Sequence, residues 1–135
     1  MRWCLPAVTL LALAAAAAVG CSTSGAAAVG GKVNYDGEPI DVGTITFIPK
    51  SDAGIKTGGL IDKGAYNVDA KVGPAPGTHR VEIRWAKPTG KKSKNEFGEE
   101  IQVRQEGLPE KYHNQSTLTA EIKAGKNVID FALEK

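Results

Sequence analysis

Residues 73–85, GPAPGTHRVEIRW, hold the clearest periodicity in the chain. A turn rich in proline and glycine runs into a segment where Val81, Ile83 and Trp85 alternate with Arg80, Glu82 and Arg84. A period of two means a strand with one dry face and one wet face. Burying each of those apolar side chains contributes about 1.5–3 kcal/mol, more than an exposed ion pair supplies. A strand from Thr78 to about Ala86 is therefore expected at the centre of the core.

Upstream, Val29 to Tyr35 reads as a first strand, and Asp36-Gly37 is a strong hairpin signal. Gly43 to Pro49 alternates, with Ile45 and Phe47 on one face and Thr44 and Thr46 on the other. Ser51 to Gly54 reads as a polar loop, and Ile55 to Asp62 as a weaker strand broken by glycine. Lys63-Gly64 turns the chain into Ala65 to Ala70, with Tyr66 and Val68 inward.

Downstream, Lys87 to Tyr112 has a different character. Lys91, Lys92, Lys94, Glu96, Glu99 and Glu100 crowd its first half. A connection of this length is unusual in a compact domain. Ile101 and Val103 suit a short edge strand, and Leu108 to Tyr112 a single helical turn opened by Pro109. Thr117 to Ala124 places Leu118, Ala120 and Ile122 inward, and Val128 to Glu134 does the same with Ile129, Phe131 and Leu133. The expected fold is all-β, a seven-stranded antiparallel β-sandwich of two packed sheets.

The first residues have another logic. Met1 and Arg2 precede an apolar run from Leu5 to Val19, followed by Gly20 and Cys21, the layout of a secretory leader. The run is Ala-dominated and shorter than the roughly 20 residues of a spanning helix. Cys4 lies within this leader, so only Cys21 would survive in an exported product, which leaves its core to hold it without a disulfide. The expected organisation is a leader over residues 1–20, a tether over 21–28 and one domain over 29–135. With 17 basic and 15 acidic residues and a formal charge of +2, the chain carries no general attraction for nucleic acid.

Ala18-Val19-Gly20-Cys21 resembles the lipobox of bacterial lipoproteins, and the resemblance makes Cys21 a lipidated residue that anchors the protein to a membrane. Ser22, where an Asp would signal retention, favours the outer membrane within the cell envelope by the same resemblance. Gly64-Ala65-Tyr66-Asn67-Val68 with Pro76-Gly77-Thr78-His79-Arg80-Val81 resembles the paired strands of carboxypeptidase regulatory-like domains. These belong to the transthyretin-like, or prealbumin-like, sandwiches. His79 stands where that family often carries an aromatic residue. Val29 to Val33, Asp36 to Pro39, Leu108 to Tyr112 and Ser116 to Thr119 are similar to small bacterial lipoproteins carrying such a domain.

Transthyretin-like hydrolases carry His and Arg residues and a C-terminal Tyr-Arg-Gly-Ser; this chain ends Phe131-Ala132-Leu133-Glu134-Lys135. His79 and His113 are the only histidines, and their spacing matches no metal motif, so neither metal nor cofactor is expected. His79 is expected at the rim of the sandwich and His113 in a loop beside Asn114. Glu99 with Glu100 and Glu106 with Glu110 read as solvated carboxylates, and Thr89-Gly90-Lys91-Lys92-Ser93 lacks the spacing of a phosphate loop. The expected function is a non-enzymatic binding or structural module. The candidate contact stretch is Lys87, Lys91, Lys92, Lys94 and Tyr112, and the partner an envelope protein or polysaccharide. The alternatives are an accessory domain for an envelope peptidase or other enzyme, and a small transthyretin-like hydrolase.

Overall fold

The alternating segments become strands in the computed structural model, which describes residues 27–51 and 54–135. Among the described residues the strands are β1 (Ala28–Tyr35), β2 (Glu38–Pro39), β3 (Val42–Pro49), β4 (Thr57–Asp62), β5 (Ala65–Val68), β6 (Gly77–Lys94), β7 (Glu100–Glu106), β8 (Thr119–Ile122), β9 (Lys126–Val128) and β10 (Phe131–Leu133). A single 3-10 turn, Glu110–Tyr112, follows Pro109, which acts as its N-terminal cap. Two hairpin corners fall where the sequence placed them, and both need left-handed backbone. Asp36 and Gly37 have φ of 52° and 83°, and Lys63 and Gly64 have 51° and 79°.

The strands form one continuous hydrogen-bonded sheet, in the order β10-β1-β5-β4-β3-β6-β7, and not two separate sheets. β8 joins it by pairing with the start of β6, Gly77 opposite Ile122. Most pairs are antiparallel, but β9 and β10 run parallel to β1, which departs from the expected all-antiparallel pattern. Val128 to Glu134 was expected as one strand; it is interrupted at Ile129 and Asp130, where Asp130 Oδ1 accepts the N–H of Lys32 at 2.8 Å. Gly31 makes that crossing possible, since a Cβ there would lie 2.0 Å from the Ile129 carbonyl oxygen.

One face of the sheet holds the core: Val29, Val33, Ile45, Phe47, Ile61, Val81 and Ile83 are each at most 1% exposed. Among the described residues the 3-10 turn is the only helical element, so the sheet itself must curl to keep that face dry. Aromatic side chains span the interior, Phe47 meeting Tyr66 and Tyr66 meeting Phe131, both at 6.3 Å between ring centres. Asn127 ties the turn after β8 to the start of β1. Its side-chain amide donates to the carbonyls of Lys123 at 2.8 Å and Ala28 at 3.2 Å, while its Oδ1 accepts the Lys123 N–H at 3.0 Å.

The domain begins before residue 29. Ala27 is fully buried, its N–H bonded to the Pro74 carbonyl at 2.8 Å, and β1 starts at Ala28. The leader, Cys21 and the rest of the tether lie outside the described residues.

The stretch after Trp85 departs most from expectation. It is a long hairpin, with β6 running on to Lys94 and returning as β7 through a turn at Asn95 to Glu99. Asn95 shapes that turn by accepting the N–H groups of Phe97 at 3.0 Å and Glu99 at 2.9 Å. β3 stops pairing with β6 at Trp85, so from Ala86 onward the hairpin is a two-stranded arm.

Candidate functional site: the arm and its base

A two-stranded ribbon in water is marginal by itself, so the contacts at its root decide whether it holds its shape. Trp85 is the hub. Its indole N–H donates to Asp41 Oδ1 at 2.7 Å, and its backbone N–H donates to Glu106 Oε1 at 3.0 Å. Its carbonyl accepts the N–H of Gly107 at 2.9 Å. Gly107 is required there, because a Cβ would lie 2.6 Å from the Trp85 ring. Arg104, returning on β7, donates to the Ala86 carbonyl at 2.7 Å and to Asp41 Oδ2 at 3.2 Å. The indole hydrogen bond holds the Asp41 carboxyl below its ordinary range, opposed by partial desolvation and helped by the Val42 N–H and Arg104. The ring faces of Trp85 are also used, by Tyr35 at 5.9 Å and by the Lys87 ammonium at 5.3 Å.

Beside this root, on the outer face of the sheet, lies a shallow groove of about 370 Å³ lined by Val42, Thr44, Leu60, Trp85, Arg84 and Arg104 among others. Leu60 is 75% exposed and Val42 39% exposed, so the floor is apolar and open. Arg84 at its edge is held by Asn114 at 2.7 Å and lies 3.7 Å from Glu106. Such a surface suits an apolar group carrying an acceptor or a carboxylate.

The expected contact residues divide. Lys91, Lys92 and Lys94 lie exposed along the outer part of the arm, Lys92 paired with Glu100 at 2.5 Å. Lys87 sits at the root on Trp85. Tyr112 is not on the arm: half-buried, it donates its hydroxyl to the Glu134 carbonyl and accepts the Glu134 N–H, both at 2.8 Å, which fastens the C-terminus. Phe97, at the tip, is 82% exposed.

Both histidines are more buried than expected. His79 is not at a rim; it is 2% exposed, in phase with Val81 and Ile83, and meets Phe47 edge-on at 6.4 Å. Its Nδ1 lies 3.1 Å from the Gly77 carbonyl and its Nε2 has no partner. His113 is 6% exposed, with Nε2 3.2 Å from the Leu108 carbonyl. Neither points into the groove. The carboxylates have structural duties: Glu99 accepts from Asn95, Glu106 accepts the N–H groups of Trp85 and Leu108, and Glu110 accepts from Gln115. Among the described residues no cluster of three or more His, Cys, Asp or Glu could hold a metal ion, and no helix is long and apolar enough to cross a membrane.

Sequence reasoning missed the Asp41, Trp85, Arg104 and Glu106 bracket and the groove. The available signal was parity: Val42 and Leu60 are apolar residues on the wet phase of their strands. No protein-family model, curated protein or solved structure matches the chain.

Proposed function

We propose that this chain is a lipid-anchored module of the bacterial cell envelope, of the prealbumin-like kind, that binds a partner through its arm and has no catalytic task of its own. The observation that carries the reading is the arm: braced at its root by Trp85, Asp41, Arg104 and Glu106, it leaves the sheet and exposes nearly all of its remaining length. Exposed elements held on a rigid scaffold are where recognition concentrates. The anchor rests on Ala18 to Cys21, and the fold kinship on the Gly64 to Val68 and Pro76 to Val81 segments, which form β5 with its turn and the start of β6.

The test is to remove the arm without touching the sheet. Lys87 and Gln105 face each other across the ladder, so a two-residue Asn-Gly turn can replace everything between them. Crosslinking in intact membranes followed by mass spectrometry should lose its principal partner in this variant. The domain should still unfold cooperatively in urea, its midpoint lowered only by the loss of the Arg104 bonds to Asp41 and the Ala86 carbonyl. Equal capture with and without the arm refutes the reading. For the anchor, labelling with an alkynyl fatty acid should disappear in Cys21→Ser, and retained label refutes lipidation at that residue.

A further inference from the structure

The outer edge of β7 pairs with no described residue. In an antiparallel ladder, residues alternate between those whose N–H and C=O face the partner strand and those whose groups face away. Two bonds fix the phase: Gly107 N–H to the Trp85 carbonyl at 2.9 Å, and Asn95 N–H to the Glu99 carbonyl at 3.0 Å. Counting inward through Ala86 opposite Glu106, Pro88 opposite Arg104, Lys92 opposite Gln102 and Lys94 opposite Glu100 puts Glu100, Gln102, Arg104 and Glu106 in the outward set. Pro88, which has no N–H to give, sits opposite Arg104, as this phase requires.

The arm's two edges differ. On the β6 side the outward positions include Pro88, Lys92 and Lys94, a proline and like charges that discourage another strand. On the β7 side the outward positions carry both signs and no proline.

We propose that β7 pairs with β7 of a second copy of this chain, antiparallel about a two-fold axis at Gln102. The inference rests on reading the arm as the recognition element, and names its partner. Among the symmetric registers that bring outward positions together, the one centred on Arg104 sets two guanidinium groups face to face. The one centred on Val103 sets Glu100 against Glu106, and the one centred on Ile101 opposes Glu100 to Gln102 and pairs no charges. The one centred on Gln105 calls on Glu106, whose two oxygens already face the Trp85 and Leu108 N–H groups and Arg84. The one centred on Gln102 sets Glu100 opposite Arg104 twice, and lays Ile101, 46% exposed in the single chain, against Val103 of the second copy. The charges meet through Glu100 Oε2 and Arg104 Nη2, since Glu100 Oε1 is held by Lys92 and Arg104 Nη1 by Asp41 and the Ala86 carbonyl. Directly opposed unlike charges and apolar pairs favour a ladder, and like charges oppose it. A two-fold contact of this kind uses the same patch on both copies and closes on itself.

The experiment places cysteines one at a time in the full chain, studied in its native membranes, with the parent chain as baseline. At the proposed axis the two Gln102 Cα atoms lie about 5.5 Å apart, within the roughly 4.4–6.8 Å that a disulfide tolerates. Gln102→Cys should give a disulfide-linked dimer under mild oxidation, at least tenfold above Glu100→Cys, whose counterparts lie four residues apart along the ladder, and above Ser93→Cys on the opposite strand. Equal yields at the three positions overturn the proposal. A second variant guards against a local artefact. Gln102→Pro removes an outward N–H and leaves the arm's own ladder bonded, so it should turn a dimeric parent into a monomer by sedimentation in detergent. A monomeric parent overturns the proposal as well. If the cysteines fail while loss of the arm still abolishes partner capture, self-pairing falls and the arm's role stands; unchanged capture without the arm removes both.

Discussion

Replacing Tyr66 by phenylalanine gives a test in which two consequences of burial must cancel at a definable pH. The Tyr66 hydroxyl donates to the Ile129 carbonyl at 2.6 Å, and the residue is 4% exposed. Burial, helped by the negative charge of Asp130, pushes its ionisation well above the ordinary tyrosine value. In the unfolded chain the phenol ionises near pH 10. Since the folded value is the higher, the contribution is fully present below about pH 10 and is lost at about 1.4 kcal/mol per pH unit above it. Tyr66→Phe removes that loss but leaves the Ile129 carbonyl without its donor, at a cost of about 1–2 kcal/mol. The variant should therefore be the weaker protein at pH 7 by about 1.5 kcal/mol, with the gap closing near pH 11. Tyr35 and Tyr112 are common to both proteins and drop out of the difference. Urea unfolding of both proteins at pH 7, 9, 10 and 11 reads the gap directly. A gap of constant size across that range would mean that the hydroxyl is not shielded, and the reasoning fails.

Gly107→Ala places a methyl group 2.6 Å from the Trp85 ring. It should destabilise the root by about 1–3 kcal/mol and change Trp85 fluorescence, whereas an unchanged spectrum with an unchanged midpoint contradicts the bracket. Asp41, held low chiefly by the Trp85 indole, stabilises the root above its unfolded value near pH 4, and this is lost as pH falls through its lower folded value. The carboxylate is 47% exposed, so the effect should be small and visible mainly as a Trp85 fluorescence change on acidification that Asp41→Asn abolishes; persistence of the change in that variant refutes it. Asn127→Ala cuts two bonds within the Lys123–Asn127 turn and the one that joins this turn to Ala28, and should cost about 2–3 kcal/mol. Hydrogen exchange should then accelerate first in β1 and β9, and uniform acceleration would show that Asn127 is not the tie.

Alternation located the inward face of nearly every strand because burial on one side of a pleat leaves a mark at every second residue. It could not say which strand lies beside which, since a period of two is the same whether the sheet is split or continuous. Hence the single continuous sheet, with its parallel β9 and β10, was not legible while its core was. One local mark was present: Gly30-Gly31 inside β1 is the signature of close backbone approach, and the Ile129 carbonyl comes up against Gly31 there. His79 shows the opposite weighting. Its position, two before Val81, put it on the dry face, but its polarity argued for the rim, and the structure follows the position.

The stretch after Trp85 stood out, and Ile101 and Val103 do lie in an edge strand, but its form as a long hairpin was not legible for a different physical reason. Neither of its faces packs on the core, so selection for a dry side left no alternation from Lys87 to Lys94, and lysine and glutamate runs read as a solvated link. Strand order survives there because of what happens at the root. Trp85 is the last residue of β6 opposed by β3, and its indole, backbone N–H and carbonyl are each satisfied by a group from Asp41 or from the Glu106-Gly107 return. A buried-core pattern records what a strand packs against, whereas a projecting ribbon records only how it is held and what its free edge can meet. For this chain the first record ends at Trp85. The second begins with Asp41 and, far along the sequence, the neighbours Arg104 and Glu106, which become a unit with Trp85 only when β6 lies between β3 and β7.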